Sequence, residues 1–444
     1  MCRRTSQSWD GQPDGCTGTA SVVLRPGEAP WRSSNAPGSS FGTRPSDRWS
    51  RHGLVGSLHA PTYLIRRGVT ALARGFSRRS IPVTTTPHPD LWRSQGAHRP
   101  HVLWDMLDGP MPQGVLGIGD PDVHLISGRW TMFLGGFSTG FRNRLYRATL
   151  ADGGTPGGGP WQLDLDTRGR AAAVTPDPPR AAWDGAGMHT PSYVPPVAGR
   201  PSRIYYTGRS TRRHYGPASR YAIGVLEHKN GRWCRRENPV LEGAAPRSSV
   251  LEPFVIHTEG RYRMWYQANP HEVGPGEQPD YELRCTDSVD GITDWSPPQV
   301  FAGPDEGFFD NTLAHTSTGW VMILARGSNL HATSDFPAQG LWWTTAPTAS
   351  ADRADWSPLQ RLLDTDHPGT PPWMARGTYA PALAVTETNS DSTQAAVLFT
   401  GTRAAPSWPR LALHQLARLR RPPVPAPFYL ATAAITVDLG ELSR

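Results

Sequence analysis

Five short motifs carry most of the reactive side chains in the body of this chain: Asp120-Pro121-Asp122, His189-Thr190-Pro191, Glu252-Pro253, Asp310-Asn311 and Arg376-Gly377-Thr378-Tyr379. The carboxylates Asp120 and Glu252 have the plainest chemical meaning. Two carboxylates facing each other across a sugar-sized gap can cleave a glycosidic bond. One protonates the leaving oxygen, and the other activates water or attacks the anomeric carbon. Asp184, His189, Asp310, Arg376 and Tyr379 are candidates for tuning that pair or binding its substrate. Each motif also has a structural explanation, because Asp-Pro is a common turn starter and a Glu before Pro can satisfy backbone donors.

Other chemistries find less support. Cys2, Cys16, Cys234 and Cys285 form no CxxC pair and lie beside no histidine at ligand spacing, which argues against zinc and against a disulfide framework. The run GGTPGGGP (153–160) opens no helix and lacks the lysine of a phosphate loop. No local signature supports a Ser-His-Asp or Cys-His nucleophile. No cofactor or metal is expected from the residues themselves.

The elements that must position these residues repeat. An aromatic-rich apolar strand appears as GRWTMFLGG, SRIYYTG, GRYRMWYQA, TGWVMILARG and TQAAVLFTGT. Each is preceded by a shorter strand (DPDVHLI, TPSYVPP, EPFVIHT, NTLAHTS, YAPALAV) and followed by an alternating one (NRLYRATL, RYAIGVLEH, YELRCTDS, GLWWTTAP, PRLALHQLA). In the first four units a Trp-containing turn or strand follows, as in PWQLDL and GRWCRR. Four strands per unit and five units predict an all-β, five-bladed propeller over 119–420. In that fold the innermost strands start near the axis, so the five motifs face one pocket, with Trp104-Asp105 at its rim.

The composition agrees. There are 46 glycines and 45 prolines in 444 residues, roughly a fifth of the chain, which favours short strands joined by turns. Residues 98–118 read as a lead-in and 421–444 as a closing segment. Residues 1–97 are rich in Arg, Ser, Pro and Gly and are expected to be mostly disordered, with a basic amphipathic stretch at 60–80. The net charge of +7 originates there: residues 1–100 hold 14 Arg and 5 acidic groups, the remainder 31 basic and 33 acidic ones. A nearly neutral body excludes a phosphate-binding stripe, so no nucleic-acid partner is expected. No stretch is long and apolar enough to span a bilayer, and MCRRTSQSWDGQ lacks the apolar run of a secretory signal, so the expectation is cytoplasmic.

In these motifs the sequence resembles the five-bladed propeller glycosidases, which include the arabinanase and β-xylosidase type and the invertase and levansucrase type. Their blade one starts with an Asp-Pro motif, matched by GDPDV, and their blade three with a Glu near a Pro, matched by LEPFVIHTEGRYRMWY. The resemblance implies that Asp120 is the base or nucleophile and Glu252 the general acid of a glycoside hydrolase or transglycosidase. The implied partner is a carbohydrate or glycosylated small molecule. Only the resemblance leaves open an axial calcium near His189 or His315. Those families also carry a third carboxylate beside the blade-two proline. Here Pro191 is flanked by Thr190 and Ser192, so Asp184 or His189 is expected within hydrogen-bond reach of Glu252. The alternative is a carbohydrate-binding or small-molecule tailoring propeller that has lost this acid and the hydrolytic reaction.

Overall fold

The computed structural model describes residues 100–439 apart from 110, 112, 212–219, 246, 274–276, 278, 328, 330–335, 368, 389–392, 405–406 and 419–427. These residues lie within one compact unit, Thr84–Arg444. The tail expected at 1–97, its stretch at 60–80, and Cys2 and Cys16 all lie outside the described residues.

The first strand, β1 (His101–Asp105), stands apart from those that follow it in sequence. Four-stranded antiparallel groups then succeed one another. The first is β2 (Val115–Ile126), β3 (Arg129–Ser138), β4 (Asn143–Thr155) and β5 (Gly159–Leu163). The second is β6 (Gly187–Val194), β7 (Arg203–Arg209), β8 (Tyr221–Lys229) and β9 (Arg232–Arg235), joined to the first by a single parallel bridge between Asn143 and Gly187. The third is β10 (Ser249–Thr258), β11 (Arg261–Asn269), β12 (Glu282–Ser288) and β13 (Gln299–Ala302). The fourth is β14 (Phe308–Thr316), β15 (Gly319–Arg326), β16 (Gly340–Ala346) and β17 (Gln360–Asp364). The last comprises β18 (Thr378–Thr388), β19 (Thr393–Ala404) and β20 (Phe428–Asp438), completed by β1.

The second strand of each group is apolar on both faces because each sheet is covered on both sides. A separate apolar core fills each space between neighbours. Phe133 and Leu145 meet Met188 and Ile204 between the first two groups. Tyr205 and Val225 meet Val255 and Met264 between the next two, and Trp265 and Leu283 meet Met322 and Trp356 after them. Ile323 and Trp343 pack on Val397 and Ile435, and Leu398 and Ala434 close the ring against Ile118 and Met132. No sheet could bury both faces alone, so stacking around an axis is what stabilises the set. The architecture is a β-propeller.

Two features correct the boundaries expected from sequence. The propeller strands run beyond 119–420, because β1 pairs with β20 and both belong to the last blade. Trp104 and Asp105 therefore lie buried in an outer strand rather than at the pocket rim. There Asp105 accepts a hydrogen bond from Arg403 at 2.9 Å. The segment PRLALHQLA is a helix, α1 (Trp408–Ala417), not the third strand of the last blade. Pro409 sits in its first turn, where no backbone donor is required, and Leu411, Ala412 and Gln415 share its buried face.

Candidate functional site

The first strands of four blades break their pairing in the same way. Register is interrupted between Gly119 and Asp122, His189 and Ser192, Leu251 and Phe254, and Tyr379 and Ala382. Each break holds a residue followed by proline: Asp120-Pro121, Thr190-Pro191, Glu252-Pro253 and Ala380-Pro381. Proline cannot donate to the ladder, so a bulge forms. The residue before it takes a left-handed backbone, with φ of 51° at Asp120, 48° at Thr190, 53° at Glu252 and 48° at Ala380. Non-glycine residues adopt that conformation at a cost, and such strain persists where the surroundings fix it. In blade four the break is shorter, between Phe308 and Asp310.

The surroundings do fix it. Every one of the four strained N–H groups is bound by a side chain of the preceding blade. Thr400 Oγ1 accepts from Asp120 at 2.8 Å and Thr207 Oγ1 accepts from Glu252 at 2.7 Å. Asp120 Oδ2 accepts from Thr190 at 3.3 Å, and Asp310 Oδ2 accepts from Ala380 at 2.8 Å. The bulges are thus held in a relay around the axis that orients Asp120 and Glu252. Gly135 makes room for the first of them, since a Cβ there would stand 2.5 Å from Asp120 Oδ2.

Three carboxyl groups from blades one, three and four influence one another electrostatically. Burial raises Asp120 to about 6, against the hydrogen bonds from the Thr190 backbone and hydroxyl that favour its charged form. Burial pushes Glu252 well above the usual carboxylate range, and the charges of Asp310 and then Asp120 push it further. Asp310 is also raised, by burial and by the charge of Asp120, while the Ala380 N–H opposes the shift. Asp120 accepts from the backbone and hydroxyl of Thr190 and is raised only to about 6, whereas Glu252 is the carboxyl on which the charges of both neighbours act.

Of the residues expected from sequence, Asp120, His189, Glu252, Asp310 and Tyr379 come together. His189 Nδ1 lies 3.5 Å from Glu252 Oε1 and 2.9 Å from Thr190 Oγ1. The Tyr379 hydroxyl is raised by burial and by the charges of all three carboxylates. Asp184 does not join them. It is fully buried, takes a bidentate pair from Arg235 at 2.5 and 2.6 Å, and accepts from Tyr206 at 2.8 Å. Of the two residues expected beside Glu252, His189 is the one that stands there, and Asp184 does not: a buried carboxylate needs a cation, and Arg235 supplies it. Asp122 has a structural task too, accepting from the Tyr193 N–H at 2.6 Å and bonding His124 at 2.8 Å. Arg376 precedes β18, where its backbone N–H bonds to Thr402.

Sequence reasoning did not single out Thr207, Thr400, Gly135, Tyr221, Tyr281 or Phe309. A signal for two of them existed, since a Thr-Gly pair, Thr207-Gly208 or Thr400-Gly401, lies near the end of the second strand in both blades. Tyr221 stands edge-on to His189 at 5.9 Å and is raised by burial and by Glu252. Tyr281, Phe309 and Tyr379 form an aromatic arc, with ring centroids 4.7 and 6.3 Å apart. Among the described residues no group of three or more His, Cys, Asp or Glu side chains is arranged to hold a metal ion.

No protein-family profile and no curated protein sequence matches this chain. Solved structures do. An N-acetylgalactosamine deacetylase from F. plautii, in complex with blood group B trisaccharide, is 12% identical over 79% of this chain and 97% of its own, with a TM-score of 0.53. The catalytic domain of the Coprinopsis cinerea GH62 α-L-arabinofuranosidase is 12% identical over 77% of this chain and 98% of its own, with a TM-score of 0.44. A thermostable family-43 glycoside hydrolase is 12% identical over 71% and 88%, also with a TM-score of 0.44. At such identity the likeness is one of architecture, and it is the β-propeller fold that this chain has in common with the deacetylase.

Proposed function

We propose that this chain is a carbohydrate-active hydrolase that cleaves a glycosidic bond with Asp120 and Glu252. The observation that carries the proposal is the convergence of buried carboxyls from blades one and three on the Thr190-His189 pair: Asp120 Oδ2 accepts from the Thr190 N–H at 3.3 Å, and the His189 ring bonded to the Thr190 hydroxyl lies 3.5 Å from Glu252. Burial raises Asp120 only to about 6, so at neutral pH it is mostly ionised, while burial and the neighbouring charges favour the protonated form of Glu252. An anion beside a proton donor is the division that glycosidic cleavage requires. Glu252 gives its proton to the glycosidic oxygen as the bond to the anomeric carbon breaks. Asp120 takes a proton from the attacking water, or bonds to the anomeric carbon itself and is later released by water. The glycoside hydrolases among the solved structures agree with this reading without carrying it.

A panel of chromogenic aryl glycosides, pentofuranosides and hexopyranosides included, tests it. Asp120→Asn and Glu252→Gln should each lower kcat by at least about a thousandfold while leaving the circular-dichroism spectrum intact and Tm no lower than that of the wild type. Where Asp120 bonds to the anomeric carbon, Glu252→Ala should be rescued by azide on substrates with activated leaving groups; where it activates water, no such rescue should occur. Turnover unaffected by either substitution, or no hydrolysis of any glycoside, would overturn the proposal.

A second reading has two observations in its favour. Blade two offers Thr190 and His189 where a third carboxylate would assist glycosidic cleavage, and the fold is similar to that of a deacetylase. On this reading the pocket holds a sugar but leaves its glycosidic bond intact. Oligosaccharide binding that persists without bond cleavage in the wild type and in Glu252→Gln would favour it.

A further inference from the structure

Asp310 reproduces Asp120. Both stand on the first strand of their blade, beside a break in pairing with the second strand. Each carboxylate accepts the N–H of a left-handed residue 70 positions further on, at the bulge of the next blade. Each of those residues, Thr190 and Ala380, is followed by proline. Asp310 is therefore a second axial aspartate generated by the internal repeat, and only 4% of it is exposed. Glu252 lies on β10, the first strand of the adjacent blade, and β10 is in contact with β14.

We infer that Asp310 is a positioning residue for the Glu252 acid, supplying from blade four the third carboxylate that blade two lacks. This rests on the reading of Glu252 as the general acid. The physical argument is that two adjacent buried carboxyls cannot both ionise readily, so one proton is retained between them. The charges of both Asp310 and Asp120 act on Glu252, which disfavours its anion. Of the charges that bear on Glu252, that of Asp310 is the larger and that of Asp120 the smaller. The other titratable groups facing this cluster are His189 from β6, Tyr221 from β8, Tyr281 ahead of β12 and Tyr379 from β18. Asp184 is occupied elsewhere by Arg235.

Asp310 also anchors Ala380, and the two roles separate experimentally. Asp310→Asn keeps an oxygen to accept the Ala380 N–H but removes the charge, whereas Asp310→Ala removes both. Carboxyl 13C NMR of the full chain, labelled at the glutamate side chain and assigned with Glu252→Gln, reads the Glu252 midpoint directly. In Asp310→Asn that midpoint should fall by about one pH unit or more, with Tm little changed. Asp310→Ala should lower both the midpoint and Tm. A Glu252 midpoint unmoved in Asp310→Asn would overturn the inference and leave Asp310 a backbone anchor. Where glycosides are turned over, the alkaline limb of the pH profile should move to lower pH by the same amount. If the wild type turns over no glycoside, the functional proposal fails, while the NMR midpoint still decides the coupling.

Discussion

Gly135 leaves the space that the Asp120 carboxylate occupies: a methyl group at 135 would stand 2.5 Å from Asp120 Oδ2 and 3.3 Å from the Thr190 nitrogen. The β3 backbone at this position is not left-handed, so alanine is tolerated by the chain itself. Gly135→Ala should therefore displace Asp120 while the blade still folds. We expect kcat on a glycoside to drop by at least about a hundredfold, ~3 kcal/mol in transition-state stabilisation. A Tm within a few degrees of the wild type is the companion measurement.

The strained bulges depend on two threonines. Thr207 and Thr400 are fully buried, and their hydroxyls accept the N–H groups of Glu252 and Asp120. Thr207→Val or Thr400→Val leaves a buried donor unpaired, at a cost of about 1–3 kcal/mol. Chemical denaturation should show that loss, and serine at either position should restore most of it. Turnover should fall with stability in the valine variants and return in the serine ones.

The axial carboxyls make stability depend on pH in a particular direction. Asp120 titrates at about 6 when folded, against an ordinary value of 3.8. Between those values the folded state binds more protons than the unfolded one, so stability falls as pH rises through that window. Asp120→Asn removes the penalty. It should be more stable than the wild type at pH 8, by on the order of 2 kcal/mol, and nearly equal to it at pH 3.5. Urea denaturation at the two pH values checks the sign. The acid limb of glycoside turnover should lie at about pH 6, because Asp120 must be ionised to act.

Asp184 provides the contrast of a carboxylate that is buried for structure. Its bidentate pair with Arg235 and its bond from Tyr206 tie the loop ahead of β6 to blade two. Asp184→Ala should destabilise the protein by about 3–5 kcal/mol, since Arg235 and Tyr206 lose their partner. The pH profile of any remaining turnover should not move, which denaturation and rate measurements at several pH values will show.

Local order in this protein is written in consecutive residues. The alternation of NRLYRATL, the apolar runs of the second strands and the glycine turns between them specify strands wherever the chain is read. The X-Pro pairs at Asp120, Thr190, Glu252 and Ala380 mark the bulges in advance, because proline must leave the ladder. Where the local pattern was ambiguous it misled: Leu411 and Leu413 alternate as in a strand, yet packing of Leu411 and Gln415 against the lead-in residue Leu107 makes the segment a helix. Which carboxylates meet was a different kind of question. Asp184 lies nearer in sequence to Pro191 than Asp310 does, and its partner Arg235 comes from the outermost strand of blade two. Asp310 reaches the same centre as Glu252 and Asp120 only because stacked blades close into a ring. Burial at that closure raises all three carboxyls, and burial depends on neighbours up to a full circuit of chain away, which no local pattern records. Sequence thus determined the blades and the strained points on them. The tertiary structure decided which of those points share an axis and a proton, because desolvation and charge act through space and not along the chain.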